Sequence, residues 1–149
     1  MTIGSSTMTI GTKHPSLVKI SNPPELFSPT AFGYSHICEV ENFTKIIHIA
    51  GQGGENINGE LSSIFEAQLD QVFANIKATL DFTHLDFQNI AMLRVLIVDF
   101  DEQKHQKLIS KMNTIWHDQK FPACTLIPVP RLALAAMQIE IEATAYFSY

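Results

Sequence analysis

Residues 121–145, FPACTLIPVPRLALAAMQIEIEATA, decide how this chain is read. Over residues 138–145 the apolar side chains alternate. Ile139, Ile141, Ala143 and Ala145 share one face, while Gln138, Glu140, Glu142 and Thr144 share the other. Successive strand side chains point to opposite faces, so the pattern predicts a strand with one dry and one wet side. The earlier run, Cys124-Thr-Leu-Ile-Pro-Val, alternates less cleanly. Pro128 lacks the N–H a ladder needs, which places this second strand at a sheet edge or a bulge. Two glutamates on one face require water, a cation or a partner chain against them. A functional site is therefore expected on the glutamate face.

Working outward, residues 63–80 carry Phe65, Leu69, Val72, Phe73, Ile76 and Leu80 at three- and four-residue spacing. That period predicts a helix with one buried stripe, opened by a Ser63-x-x-Glu66 capping box. Lys77 and Asp81 lie one turn apart on its wet side, and His84 takes the left-handed position after its end. Residues 89–99 form an apolar strand long enough to be central. Arg94 interrupts its face of Met92, Leu96 and Val98 and so needs an ion-pair partner, in the same chain or another. Asp101 caps a second helix running to about His117, with Leu108, Met112, Ile115 and Trp116 inward.

Residues 35–40 and 45–50 are β-like runs separated by Glu41-Asn-Phe-Thr, which predicts a hairpin. Gly51-Gln-Gly-Gly and Asn56-Ile-Asn-Gly follow as a loop. The phosphate-binding pattern G-x-x-x-x-G-K-[ST] is absent, so these glycines are read as positive-φ turns. Residues 1–25 are rich in Ser, Thr, Gly and Pro, with Met1-Thr-Ile-Gly repeated at Met8. They are expected to form a flexible N-terminal arm, in which Leu17-Val-Lys-Ile adds a short strand or nothing. Residues 26–149 then make one domain in the order ββαβαββ. This is an α+β fold with two helices on one sheet face, the other face being left for association between chains.

Composition narrows the partners. The 149 residues carry a net charge of −5, with two arginines and eight scattered lysines. Nucleic-acid binding depends on clustered cations against phosphate, so no nucleic-acid partner is expected. No apolar run is long enough to span a bilayer, and no basic-then-apolar leader opens the chain, so no membrane role is expected. Cys38 and Cys124 suit a reducing, cytoplasmic setting. The histidines never fall at metal-ligand spacing, and neither a metal nor a cofactor is expected.

Phe121-Pro-Ala followed by Ile139-Glu-Ile-Glu-Ala, with Gly51-Gln52, Gly59, Gln68 and Asn75 upstream, resembles the RidA/YjgF family. These are the reactive-intermediate (imine) deaminases, also called endoribonuclease L-PSP, and the likeness covers residues 26–147. The resemblance implies a chorismate-mutase-like fold and a homotrimer with small-molecule sites in clefts between subunits. The family's deaminases hold an imino acid's carboxylate with the arginine of Pro-Ala-Arg. A glutamate of the I-E-I-E strand positions water, and a tyrosine and a serine line the cleft. The tyrosine corresponds to Tyr34 and the glutamate to Glu140. Ala50 stands where the serine would be, Cys124 replaces the arginine, and Leu126 replaces a cysteine two positions on. The helical pattern N-x-x-Y-x-x-F becomes Lys107-x-x-Ser110-x-x-Asn113.

Loss of the arginine weighs most. A guanidinium–carboxylate pair contributes roughly 1.5–3 kcal/mol, or about ten- to a hundredfold in binding. A thiol supplies one weak donor and no charge. Cys124 is either a small buried residue or, with a cation or imidazole such as His36 or His48 beside it, a nucleophile. Lys107 is either a solvated helix lysine or a compensating cation. Glu140 is the candidate catalytic residue, and Tyr34, Ala50, Lys107 and Cys124 are the candidate ligand contacts. The expected protein binds a small metabolite in inter-subunit clefts without standard 2-imino-acid deaminase activity. The alternative is a deaminase of imines or enamines that lack the carboxylate handle. Arg131 is read as a structural ion-pair residue.

Overall fold

The computed structural model describes residues 17–149. The repeated Met-Thr-Ile-Gly motif and the first part of the expected arm lie outside these residues. The strands are β1 (Val18–Ser21), β2 (Ile37–Val40), β3 (Lys45–Gln52), β4 (Ile90–Val98), β5 (Ala123–Val129) and β6 (Ile139–Phe147). Two helices, α1 (Phe65–Phe82) and α2 (Glu102–Ile115), alternate with them. Leu17-Val-Lys-Ile thus contributes a strand, and from β2 onward the order is ββαβαββ.

The main sheet runs β3-β6-β4-β5. β6 is antiparallel to both β3 and β4, and β5 is parallel to β4. Pro128 therefore sits in an edge strand, where its missing N–H costs no ladder bond on the outer side. Ile139, Ile141, Ala143 and Ala145 are all buried, and they meet Leu93, Val95 and Ile97 of β4 in one core with both helices. The six predicted residues of α1 are buried, and Leu108, Met112 and Trp116 close the core from α2. Lys111 binds Asp70 across the helices at 2.9 Å, and Lys77 pairs with Asp81 along α1.

Four expectations are corrected. β2 and β3 do not form a hairpin: β2 pairs with β1, and β3 pairs with β6. The apolar residues Ile47 and Ile49 of β3 need the dry side of β6 as neighbour, so β2 is left to the strand before it. The α1 capping box does not form. Ile64 is the cap residue with extended backbone, the Ser62 hydroxyl accepts from its N–H, and the Ser63 carbonyl accepts from Gln138. Of the glycines in the 51–59 loop only Gly59 has positive φ. At Gly54 the requirement is space, because a Cβ there would lie 2.7 Å from Gln68 Cα. Arg131 is exposed and makes no ion pair among the described residues.

Other expectations hold. Asp101 caps α2 by accepting from Lys104 N–H at 2.7 Å, and His84 adopts φ 60°. Arg94 pairs with Glu142 on the neighbouring strand, which answers its need for a partner within the chain.

Candidate functional site

Four of the five candidate residues fall into two groups on opposite faces of the sheet. Cys124 stands beside Leu93 in the β4–β5 register and faces the helices. Glu140 stands beside Leu96 in the β4–β6 register and faces away from them. Within one chain the two do not share a cleft.

The Cys124 group surrounds a cavity of about 400 Å³ between residues 27–34, α2 and β5. A short 3-10 turn, Thr30–Phe32, ends at Gly33 with φ +75°, and Gly33 N–H bonds the Thr30 carbonyl at 3.1 Å. Glycine suits this turn best, since the positive φ strains other side chains and a Cβ would also crowd Met112 Cβ at 3.1 Å. The turn presents Phe32 and Tyr34 to the cavity. His36 meets Tyr34 edge-on at 5.6 Å and donates from Nε2 to the Phe27 carbonyl at 3.0 Å. Ser35 N–H bonds the Pro122 carbonyl at 3.1 Å, which fixes this segment to the start of β5. From α2, His105 stacks over Phe32 at 6.2 Å with the rings 16° apart. No lysine or arginine lines this cavity. Burial pushes the Cys124 thiol up to about 12, so it is neutral at physiological pH. The His36 ring bonds Phe27 instead of the thiol, and His48 lies on the opposite face.

The Glu140 group lies on the uncovered face. β3 carries a register shift between Ile49 and Gln52, and the bulge brings Ala50 and Gly51 toward β6. Gly51 has nothing to offer but backbone, and a Cβ there would come within 2.7 Å of Glu140 Cδ. Glycine is required at this position for the glutamate to occupy its place. The Glu140 carboxylate has no hydrogen bond or ion pair among the described residues. Ala50 lines a shallow depression with His48, Met92, Arg94 and Glu142, and the Arg94–Glu142 pair neutralises that side.

Lys107 joins neither group. It lies between the helices with its Nζ 3.5 Å from Glu66, in an exposed pair. Gln68 and Asn75, which carried part of the resemblance, are framework residues. Gln68 is fully buried, donates to the Ser62 and Ala136 carbonyls at 2.7 and 2.9 Å, and accepts from Gln138 N–H at 2.9 Å. Asn75 donates to the carbonyls of Gly53 and Glu55 at 3.0 and 2.9 Å. Sequence reasoning missed Phe27, Phe32 and His105. His105 was within reach, because 105, 108 and 112 are helically spaced on one stripe. Phe27 and Phe32 lie in irregular chain with no period to reveal them.

The helix-backed mixed sheet is a fold shared with known proteins. The Endoribonuclease L-PSP family model matches residues 27–147. A RutC family protein of Aquifex aeolicus is 32% identical over 118 residues, 75% of this chain and 86% of the relative. The structure of a conserved Rid family protein of unknown function, YyfB from Yersinia pestis, superposes with TM-score 0.83 at 31% identity. That match covers 88% of this chain and 99% of the other. RidA from the Antarctic bacterium Psychrobacter superposes with TM-score 0.58 at 24% identity, over 89% of this chain and all of the other, a likeness of fold. The chain belongs to the endoribonuclease L-PSP family, the RidA/YjgF proteins.

Proposed function

We propose that this protein is a trimeric, small-molecule-binding member of the family that lacks standard 2-imino-acid deaminase activity. The neutral, apolar surroundings of Cys124 carry this reading. A substrate carboxylate brought there would lose its water and meet no cation, a transfer that is strongly unfavourable. The ligand is held between subunits. Tyr34 and Cys124 occupy one sheet face and Ala50 and Glu140 the other, so a ligand touching both groups needs two chains. The uncovered sheet face supports the same assembly. It leaves Ile46, Met92 and Ile127 between 39% and 45% exposed on a single surface, apolar area that association would remove from water. Two free thiols fit a reducing, cytoplasmic setting, and among the described residues no helix is long and apolar enough to cross a membrane.

Light scattering at micromolar concentration is expected to give about three times the chain mass of 16.7 kDa. A monomer mass would sink the assembly.

The decisive assay is the decay of 2-aminoacrylate or a similar 2-imino acid. Wild-type protein is expected to leave the spontaneous rate unchanged. Cys124→Arg is expected to accelerate decay measurably, about tenfold or more above wild type, by restoring a carboxylate clamp. Cys124→Arg/Glu140→Ala should lose that gain, because Glu140 holds the water. Rapid turnover by wild type would instead establish the second reading, a deaminase working without the arginine through the unpaired Glu140.

A further inference from the structure

The cavity beside Cys124 has walls specific enough to say what it selects. Phe27, Phe32 and Leu126 give it apolar sides, and Met112 adds a deformable one. At about 400 Å³ it falls within the range that encloses a small organic molecule. Two polar side-chain tips, the Tyr34 hydroxyl and the His105 imidazole, have no hydrogen-bond partner among the described residues. The Cys124 thiol in the same cavity is uncharged, and no lysine or arginine lines the walls.

We propose that this cavity takes a neutral, flat ligand, an aromatic or conjugated ring bearing one uncharged hydrogen-bonding group, and discriminates against its carboxylate counterpart. The proposal rests on the small-molecule reading above and deepens it by naming the ligand class. A continuous run of rings, with Phe27 edge-on to Phe32 and Phe32 stacked with His105, suits a planar body. Tyr34 and His105 can each meet an amide, carbonyl or hydroxyl. A carboxylate of the same shape would have to give up its water for a site with no opposing charge.

Benzamide and benzoate make the test, because they share shape and size and differ in charge. Binding is followed by ligand-observed NMR and calorimetry at pH about 8, above the ordinary imidazole range. Wild-type protein is expected to bind benzamide about tenfold or more tighter than benzoate. Leu126→Trp, which fills the cavity from the edge strand, should abolish benzamide binding. Cys124→Arg should reverse the preference, and Leu126→Arg, on the same strand face, provides an independent reversal if the first variant folds poorly. Equal affinity, or a wild-type preference for benzoate, would overturn the neutral-ligand proposal and leave a small-molecule cleft standing. Failure of both compounds to bind would overturn this proposal and the small-molecule reading together. Benzamide binding that survives Leu126→Trp would place the ligand elsewhere and likewise overturn it.

Discussion

Replacing Gln68 with leucine is expected to lower the unfolding free energy by about 1–3 kcal/mol, because a fully buried amide loses three part-buried hydrogen bonds whose partners water can only partly satisfy. The leucine would fill the volume, yet three groups on three different segments would be orphaned. They are the carbonyls of Ser62 and Ala136 and the N–H of Gln138. One amide thus ties the entry to α1, the loop before β6 and the start of β6 itself. Urea denaturation measures the loss. A change below about 1 kcal/mol would mean that water enters and replaces all three bonds. Hydrogen exchange gives a local readout, since Gln138 lies two residues before Glu140. Its amide should exchange faster in the variant while the centre of β4 stays protected.

Alkaline pH should produce the second large effect, and its sign follows from the Cys124 thiol. The folded chain holds this group up to about 12, through burial, whereas an unfolded thiol ionises near its ordinary value. A raised folded pKa means that the stabilisation is complete below the unfolded value and is lost as pH climbs toward the folded one. Above pH about 9 the unfolded chain releases a proton that the folded chain keeps, so stability falls by about 1.4 kcal/mol per pH unit from this group alone. Burial also raises Cys38, which adds in the same direction. Chemical denaturation across the alkaline range should therefore show Cys124→Ala losing less stability than wild type. Lysines and tyrosines are common to both proteins and cancel in the difference. Parallel curves would show that the thiol ionises freely in the folded chain. Rapid thiol labelling of native Cys124 at neutral pH would equally contradict a buried, neutral thiol.

Where the sequence was informative, periodicity was the reason. Ile139 to Ala145 announced a dry face by alternation, the α1 stripe announced itself by its 3.6-residue period, and Pro128 marked an edge. Arg94 within an apolar strand announced a partner, although not that the partner would be Glu142. Pairing was harder to read. Nothing local in Ile37–Val40 says that it pairs backward with β1 while β3 crosses to β6, because that choice depends on which neighbour can cover Ile47 and Ile49. The candidate residues were legible one at a time through the matched motifs. Their division between two sheet faces was not, since facing depends on the registers of β5 and β6 against β4. The close-approach glycines have a similar cause. A glycine needed for space has the same letter as one needed for backbone freedom, and only Gln68 and Glu140 in place distinguish them.

The bulge that seats Gly51 against Glu140 makes the two groups unequal in how they accept change. Around Glu140 the space beside Gly51 is already filled by the glutamate side chain itself, so the smallest added side chain there displaces the carboxylate. Around Cys124 there is an empty volume bounded by a flexible methionine and an edge strand, where a larger or charged residue has room to extend. Substitution at the second group can thus reshape the cavity without disturbing the Glu140 carboxylate on the opposite face. For redesign, the practical order is to leave residues 50–52 untouched and to vary Cys124 and Leu126, with Tyr34 as the next position.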